Sequence, residues 1–113
     1  MAKLDRDKVY REFGEVVNMA PAELAAWLET EESRKVGWKG PDGKGGGESV
    51  GHASGRHVVR ILRARKAELT DEDYVHMRKV VGYVRRHLAQ RPENEVTSRW
   101  RYSLMNWGHD PLK

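Results

Sequence analysis

Apolar positions recur every three or four residues along most of this chain, which is the pattern of helices that bury one face. The pattern predicts helices over residues 5–18, 21–32, about 54–66, 71–90 and 95–107. The clearest stripe is in the fourth of them, formed by Tyr74, Met77, Val81, Val84 and Leu88. No alternation with period two persists. The expected fold class is therefore all-α, a compact bundle of four to five helices.

Local signals support several of these boundaries. Pro21 suits a first helical position, where its missing N–H costs nothing. Thr70 followed by Asp73 approximates a capping box, and the residue before Pro92 avoids the helical conformation. The helical spacing of Trp100 and Trp107 indicates that both close the core of the bundle.

A length of 113 residues favours one domain. Within it the sequence predicts an acidic helical hairpin at 1–33, a flexible Gly-rich loop at 34–53, a basic helix pair at 54–91 and an aromatic C-terminal helix at 95–108. Seven of the fifteen residues at 37–51 are glycine, a density that argues against regular structure. Trp38 is the exception there, as a candidate anchor.

Charge is unevenly distributed along the chain. Residues 1–32 carry a net −4, whereas residues 52–91, with ten bases and four acids, carry +6. This asymmetry favours a polyanionic partner. The candidate contacts are Ser54, Gly55, Arg56, Arg60, Arg63, Arg65, Lys66, Arg78, Lys79, Arg85 and Arg86. Ser54 and Gly55 are included because they are expected to open the third helix, where free N–H groups hold phosphate.

Double-stranded DNA is the leading partner, with RNA or single strands as alternatives. A helix-turn-helix reader is rejected, because the tip of its second helix would be Asp71-Glu72-Asp73, which DNA repels. Phosphate contact of low sequence specificity is the better interpretation. Two rivals remain: a protein-interaction module or homodimer that uses the basic face on an acidic partner, and a small enzyme built on His57 or His76.

Other chemistries find little support. The chain has no cysteine, and its histidines lack metal-ligand spacing, so neither a metal nor a cofactor is expected. The Gly43-Lys44 pair does not fit a nucleotide-binding loop, because Trp38 stands where the first Gly belongs and Gly45 follows the lysine. No apolar run approaches the roughly 18 residues of a membrane helix. A non-enzymatic cytoplasmic protein, nucleoid-associated if it binds DNA, is expected.

Four segments resemble a family of small uncharacterised bacterial and fungal proteins commonly labelled as DNA-binding. They are NMAPAELAAWLETEES (18–33), ESVGHASGRHVVRIL (48–62), HMRKVVGYVRRHLAQRP (76–92) and RWRYSLMNWGHDPLK (99–113). The terminal SLMNWGHDP is the most specific of these motifs. The resemblance implies DNA binding but supplies no catalytic residues.

Overall fold

The computed structural model describes residues 4–36, 48–90 and 99–113. These residues form six α-helices and a 3₁₀ turn at Lys66–Glu68, and they include no β-strand. The helices are α1 (Arg6–Val16), α2 (Pro21–Leu28), α3 (Glu31–Lys35), α4 (Val50–Arg63), α5 (Asp71–Leu88) and α6 (Arg99–Asn106). The all-α fold class is confirmed. Five of these helices have eight or more residues, and α3 has five.

Side-chain caps explain where several helices begin. The Asp5 carboxylate accepts the Lys8 N–H at 3.1 Å at the start of α1. At the start of α5, Thr70 Oγ1 accepts the Asp73 N–H at 3.2 Å and Asp73 Oδ2 accepts the Thr70 N–H at 3.0 Å. The predicted capping box is therefore confirmed. Thr30 caps α3 with its hydroxyl alone, which accepts the Ser33 N–H at 3.2 Å, so the helix expected over 21–32 is divided in two.

The predicted start of the third helix is wrong. The helix, α4, begins at Val50 rather than near Ser54, because Ser49 caps it by accepting the His52 N–H at 3.1 Å. Residues 50–53 are thus helical, not part of a loop, and so are residues 34–35 in α3. The same helix ends at Arg63, which leaves Lys66 in the 3₁₀ turn. The glycine-rich residues 37–47, with Trp38, and residues 91–98 lie outside the described residues, so their predicted conformation stays a prediction.

The antiparallel hairpin of the first two helices is also not formed. α1 packs along α5, whereas α2 packs along α4 and contacts α6. The connector between them is extended at Val17 and Ala20, and it is held by the C-terminal turn. Both the Asn18 and the Met19 N–H donate to the Gly108 carbonyl, at 3.1 and 3.2 Å. This connection separates α1 from α2 by directing each onto a different partner.

The core lies where α4, α5 and α6 meet the two N-terminal helices. Leu24, Val58, Met77 and Leu104 are fully buried there. Trp100 and Trp107 are 8% and 5% exposed. Their predicted place in the core is confirmed.

Asn106 is a buried hydrogen-bonding centre within this core. Its Oδ1 accepts from Trp27 Nε1 at 2.7 Å and from the Ser33 hydroxyl, and its Nδ2 donates to the Ser33 carbonyl at 3.0 Å. The side chains of Asn106 and Ser33 are completely buried. One amide therefore ties α6 to both α2 and α3.

The C-terminal turn is fixed by its own contacts. Gly108 has a φ of 90°, a left-handed conformation that glycine adopts without strain. His109 Nδ1 donates to the Val16 carbonyl at 2.6 Å, and the Asp110 N–H donates to Asn18 Oδ1 at 2.7 Å. Asp110 accepts the Leu112 N–H at 3.0 Å. The specific SLMNWGHDP motif thus has an architectural explanation.

Candidate nucleic-acid interface

The arginines of α4 share one exposed face, as their spacing predicts, but two of them are engaged. Arg56 Nε donates to Glu48 Oε2 at 2.7 Å, and Arg60 Nη2 donates to Asp73 Oδ1 at 3.1 Å. The bond from Arg56 holds the pKa of Glu48 below its usual value. A phosphate approaching either arginine would meet a carboxylate beside it. Arg63 is exposed and forms no ion pair within the described part of the chain.

Ser54 and Gly55 do not open a helix, and the prediction that they hold a phosphate is wrong. Both lie inside α4 and are buried, with Ser54 only 4% exposed. A Cβ atom on Gly55 would lie 2.5 Å from the Asn106 carbonyl oxygen and 2.7 Å from Leu28 Cδ2. The glycine at 55 therefore permits close packing of α4 against α2 and α6. The first backbone N–H groups of α4 belong to Val50 and Gly51 instead.

Three further candidate cations are paired with acids elsewhere in the chain. Arg65 Nε lies 3.4 Å from Glu68 Oε1, Lys66 Nζ 3.5 Å from Asp7 Oδ1, and Arg85 Nη1 3.0 Å from Glu12 Oε2. The last two pairs join the acidic N-terminal segment to the basic middle. Part of the charge asymmetry seen in the sequence is therefore balanced within the chain.

The remaining candidate cations lie on the exposed side of α5. Arg78, Lys79 and Arg86 are exposed and form no ion pair with any described residue. Positions 78, 79, 82 and 86 lie on one side of a helix by their spacing. Gly82 lies between these side chains, and Arg86 Nη1 is 3.0 Å from the position that a Cβ atom on Gly82 would occupy. Of the eleven sequence-derived candidates, four are exposed and form no ion pair with a described residue: Arg63 on α4 and these three, which lie together on α5.

The acidic tip of α5 is occupied by structural contacts. Asp71 pairs with Arg6 of α1, and Asp73 both caps the helix and contacts His57 and Arg60. Burial acts to raise the pKa of the Asp73 carboxyl, but bonds from His57 and Thr70 outweigh it and the pKa is lowered. These acidic side chains attach α5 to α1 and α4.

Two histidines proposed as catalytic are stacked beside this tip. Ser54 Oγ and His76 Nε2 are 2.8 Å apart, and His57 Nε2 is 2.8 Å from Asp73 Oδ1. The two imidazole rings are stacked with centroids 4.2 Å apart. Burial lowers the pKa of His76 to about 4. The serine and the carboxylate thus contact different imidazoles, so the serine–histidine–carboxylate relay of a hydrolase is not assembled.

The described segments, 4–36, 48–90 and 99–113, hold no group of three or more histidines and acids placed to bind a metal ion. Nor does any helix in them combine the length and apolar character that crossing a bilayer requires.

The fold and this surface define a small α-helical protein with an unneutralised basic side on its longest helix. The family model described as Protein of unknown function (DUF3140) matches residues 12–105. The chain therefore belongs to this family. No curated protein and no solved structure matches the chain.

Proposed function

We propose that this protein binds nucleic acid, double-stranded DNA foremost, through the exposed side of α5. The observation that supports the proposal is the group Arg78, Lys79 and Arg86, which is exposed and carries no carboxylate partner among the described residues. Arg78 and Arg86, the first and last cations of this group, are eight residues apart, about 12 Å along the helix axis. This spread suits contact with more than one backbone phosphate.

The mode of contact follows from the side chains. Arginine and lysine contacts to phosphate fix the position of a protein on DNA without reading its sequence. The N-terminal tip of α5, which a helix-turn-helix reader would use on the bases, carries acids engaged with Arg6, His57 and Arg60. Binding of low sequence specificity is therefore proposed, and a protein with this activity would act at the nucleoid.

Salt dependence tests the proposal. With three phosphate contacts, the plot of log affinity against log salt is expected to have a slope of about −2.7, a loss of about 40-fold between roughly 50 and 200 mM salt. Fluorescence anisotropy with a labelled duplex, a single strand and an RNA of equal length measures the affinity and the preferred form. Absence of duplex binding at the lowest salt would refute the proposal.

A matched pair of variants locates the interface. Arg78→Gln/Lys79→Gln/Arg86→Gln is expected to abolish measurable binding for all sequences. The control Arg34→Gln/Lys35→Gln/Arg65→Gln removes the same charge from cations that are already paired with Glu29, Glu31 and Glu68. It is expected to weaken binding by a few-fold at most. Equal losses in both variants would show that net charge, and not the α5 surface, drives association.

A further inference from the structure

A cavity of about 260 Å³ opens between the N-terminus of α4, one side of α5, and α6. Its walls include Val50, Gly51, Lys79, Tyr83, Arg86 and Trp107, and none of the described residues that line it is acidic. Small-molecule pockets begin at about 300 Å³. The cavity is therefore large enough for one compact polar group and part of the molecule to which that group is attached.

The N-terminus of α4 contributes donors to this cavity. Val50 and Gly51 are the first two residues of a 14-residue helix, so their N–H groups have no acceptor within the helix. The next N–H group of the helix, that of His52, donates to the Ser49 hydroxyl. The aligned peptide dipoles add a partial positive charge of about half a unit at this end.

Trp107 supplies an independent indication of a ligand. The side chain is 5% exposed, and its indole N–H donates to no described residue. Trp27 differs, because its indole N–H donates to Asn106. Trp107 Nε1 lies 3.0 Å from the position that a Cβ atom on Gly51 would occupy. The indole N–H thus lies beside the first N–H groups of α4 and can donate to a group in the cavity.

Two cations complete the lining. Lys79 and Arg86 lie two helical turns apart on α5, and neither forms an ion pair with a described residue. The site thus combines two full positive charges with backbone and indole N–H donors. This combination suits an anion with several oxygen acceptors.

The aromatic rings of the site are not arranged to hold a base. Tyr83 lies between Trp107, at a centroid distance of 4.2 Å, and His87, at 5.1 Å, with nearly parallel planes. The other side of Trp107 faces His76 at 6.1 Å. Because the ring faces are used within this stack, the cavity presents ring edges. Recognition by charge and hydrogen bonding is therefore favoured over base stacking.

We infer that this cavity binds the phosphate group of a phosphomonoester, with Trp107 Nε1, the Val50 and Gly51 N–H groups, Lys79 and Arg86 as donors. Such a group occurs on small metabolites and nucleotides and at the 5′ end of a nucleic acid. Only the last source rests on the proposed function. An internal phosphodiester, flanked by sugar on both sides, fits a recessed site less well.

Proton–nitrogen correlation NMR of the full chain tests the inference. Inorganic phosphate is added stepwise to the protein, and chloride at equal ionic strength serves as the control. The Trp107 indole signal and the Val50 and Gly51 amide signals are expected to shift together and to saturate. Lys79→Gln/Arg86→Gln is expected to weaken phosphate binding at least tenfold. Arg78→Gln, which removes a neighbouring α5 cation that does not line the cavity, should change it less than twofold.

The source of the phosphate is distinguished by two further pairs of probes. Adenosine monophosphate is compared with adenosine, and a 5′-phosphorylated oligonucleotide with its 5′-hydroxyl form. Preference for the phosphorylated member of either pair, seen at Trp107, supports the site and identifies its source. If no probe produces a saturable shift of Trp107, the inference is overturned, and this holds even when the duplex binds through α5. If phosphate shifts the Trp107 signal but the protein binds no duplex, only the proposed DNA binding is refuted, and the phosphate site stands.

Discussion

Replacing Gly55 by alanine separates two interpretations of this residue. As a phosphate contact, Gly55 would matter for binding and not for stability. In the structure it permits α4 to approach α2 and α6, since an added Cβ would lie 2.5 Å from the Asn106 carbonyl oxygen. The Asn106 backbone cannot move easily, because its side chain is bonded to Trp27 and Ser33. Gly55→Ala is therefore expected to destabilise the fold.

The magnitude follows from two opposed effects. Alanine is favoured over glycine in a helix interior by about 1 kcal/mol, whereas overpacking of a close-packed interior costs about 1–3 kcal/mol and more where backbone must shift. The clash here is with a backbone oxygen, so the larger cost applies and the net loss is expected to be about 2 kcal/mol. With an unfolding entropy of about 2.1 cal/mol/K per residue, this loss lowers Tm by about 8 °C for 113 residues.

Gly14 provides the matched control. It lies within α1, and a Cβ added there would meet nothing within 4 Å. Gly14→Ala is expected to raise the free energy of unfolding by about 0.5–1 kcal/mol. Urea unfolding followed by circular dichroism measures both variants. If Gly55→Ala is as stable as Gly14→Ala, the packing argument is refuted; if it is also deficient in DNA binding, a direct role in phosphate contact regains support.

Two further predictions concern Asn106 and His76. Asn106→Ala leaves the buried Ser33 hydroxyl and carbonyl without a partner and is expected to lower the free energy of unfolding, measured with urea, by about 2–4 kcal/mol. Ser33→Ala removes one donor only and should lower it clearly less. Equal losses would contradict the role of Asn106 as a hydrogen-bonding centre. The pKa of His76 is lowered from 6.5 to about 4, chiefly by burial, so the unfolded state binds more protons between these pH values and stability is expected to fall as pH drops through that window. His76→Gln should lose less stability than the parent between pH 6.5 and 4; an unchanged loss would assign the dependence to other groups, such as His87, whose pKa is also lowered by burial.

The candidate site was only partly predictable. The sequence identified every cation on α4 and α5, including Arg78, Lys79 and Arg86. It gave no sign that Arg56 and Arg60 are held by Glu48 and Asp73, since Glu48 is eight residues from Arg56 and Asp73 thirteen from Arg60. A signal for the true start of α4 was present in Ser49, a favoured N-cap residue, but the neighbouring glycines argued against a helix.

By itself, the sequence determined the helical fold class, the capping of α5, and the amphipathic stripes, because these depend on residues within one or two turns of each other. The tertiary structure alone decided which helices pair. The C-terminal turn holds the connector at Asn18, so α1 joins α5 and α2 joins α4. It also decided that Gly55 is a packing position, and it brought Trp107 beside Lys79 and the first N–H groups of α4. These relations join residues distant in the chain, and no local pattern records a contact of that kind.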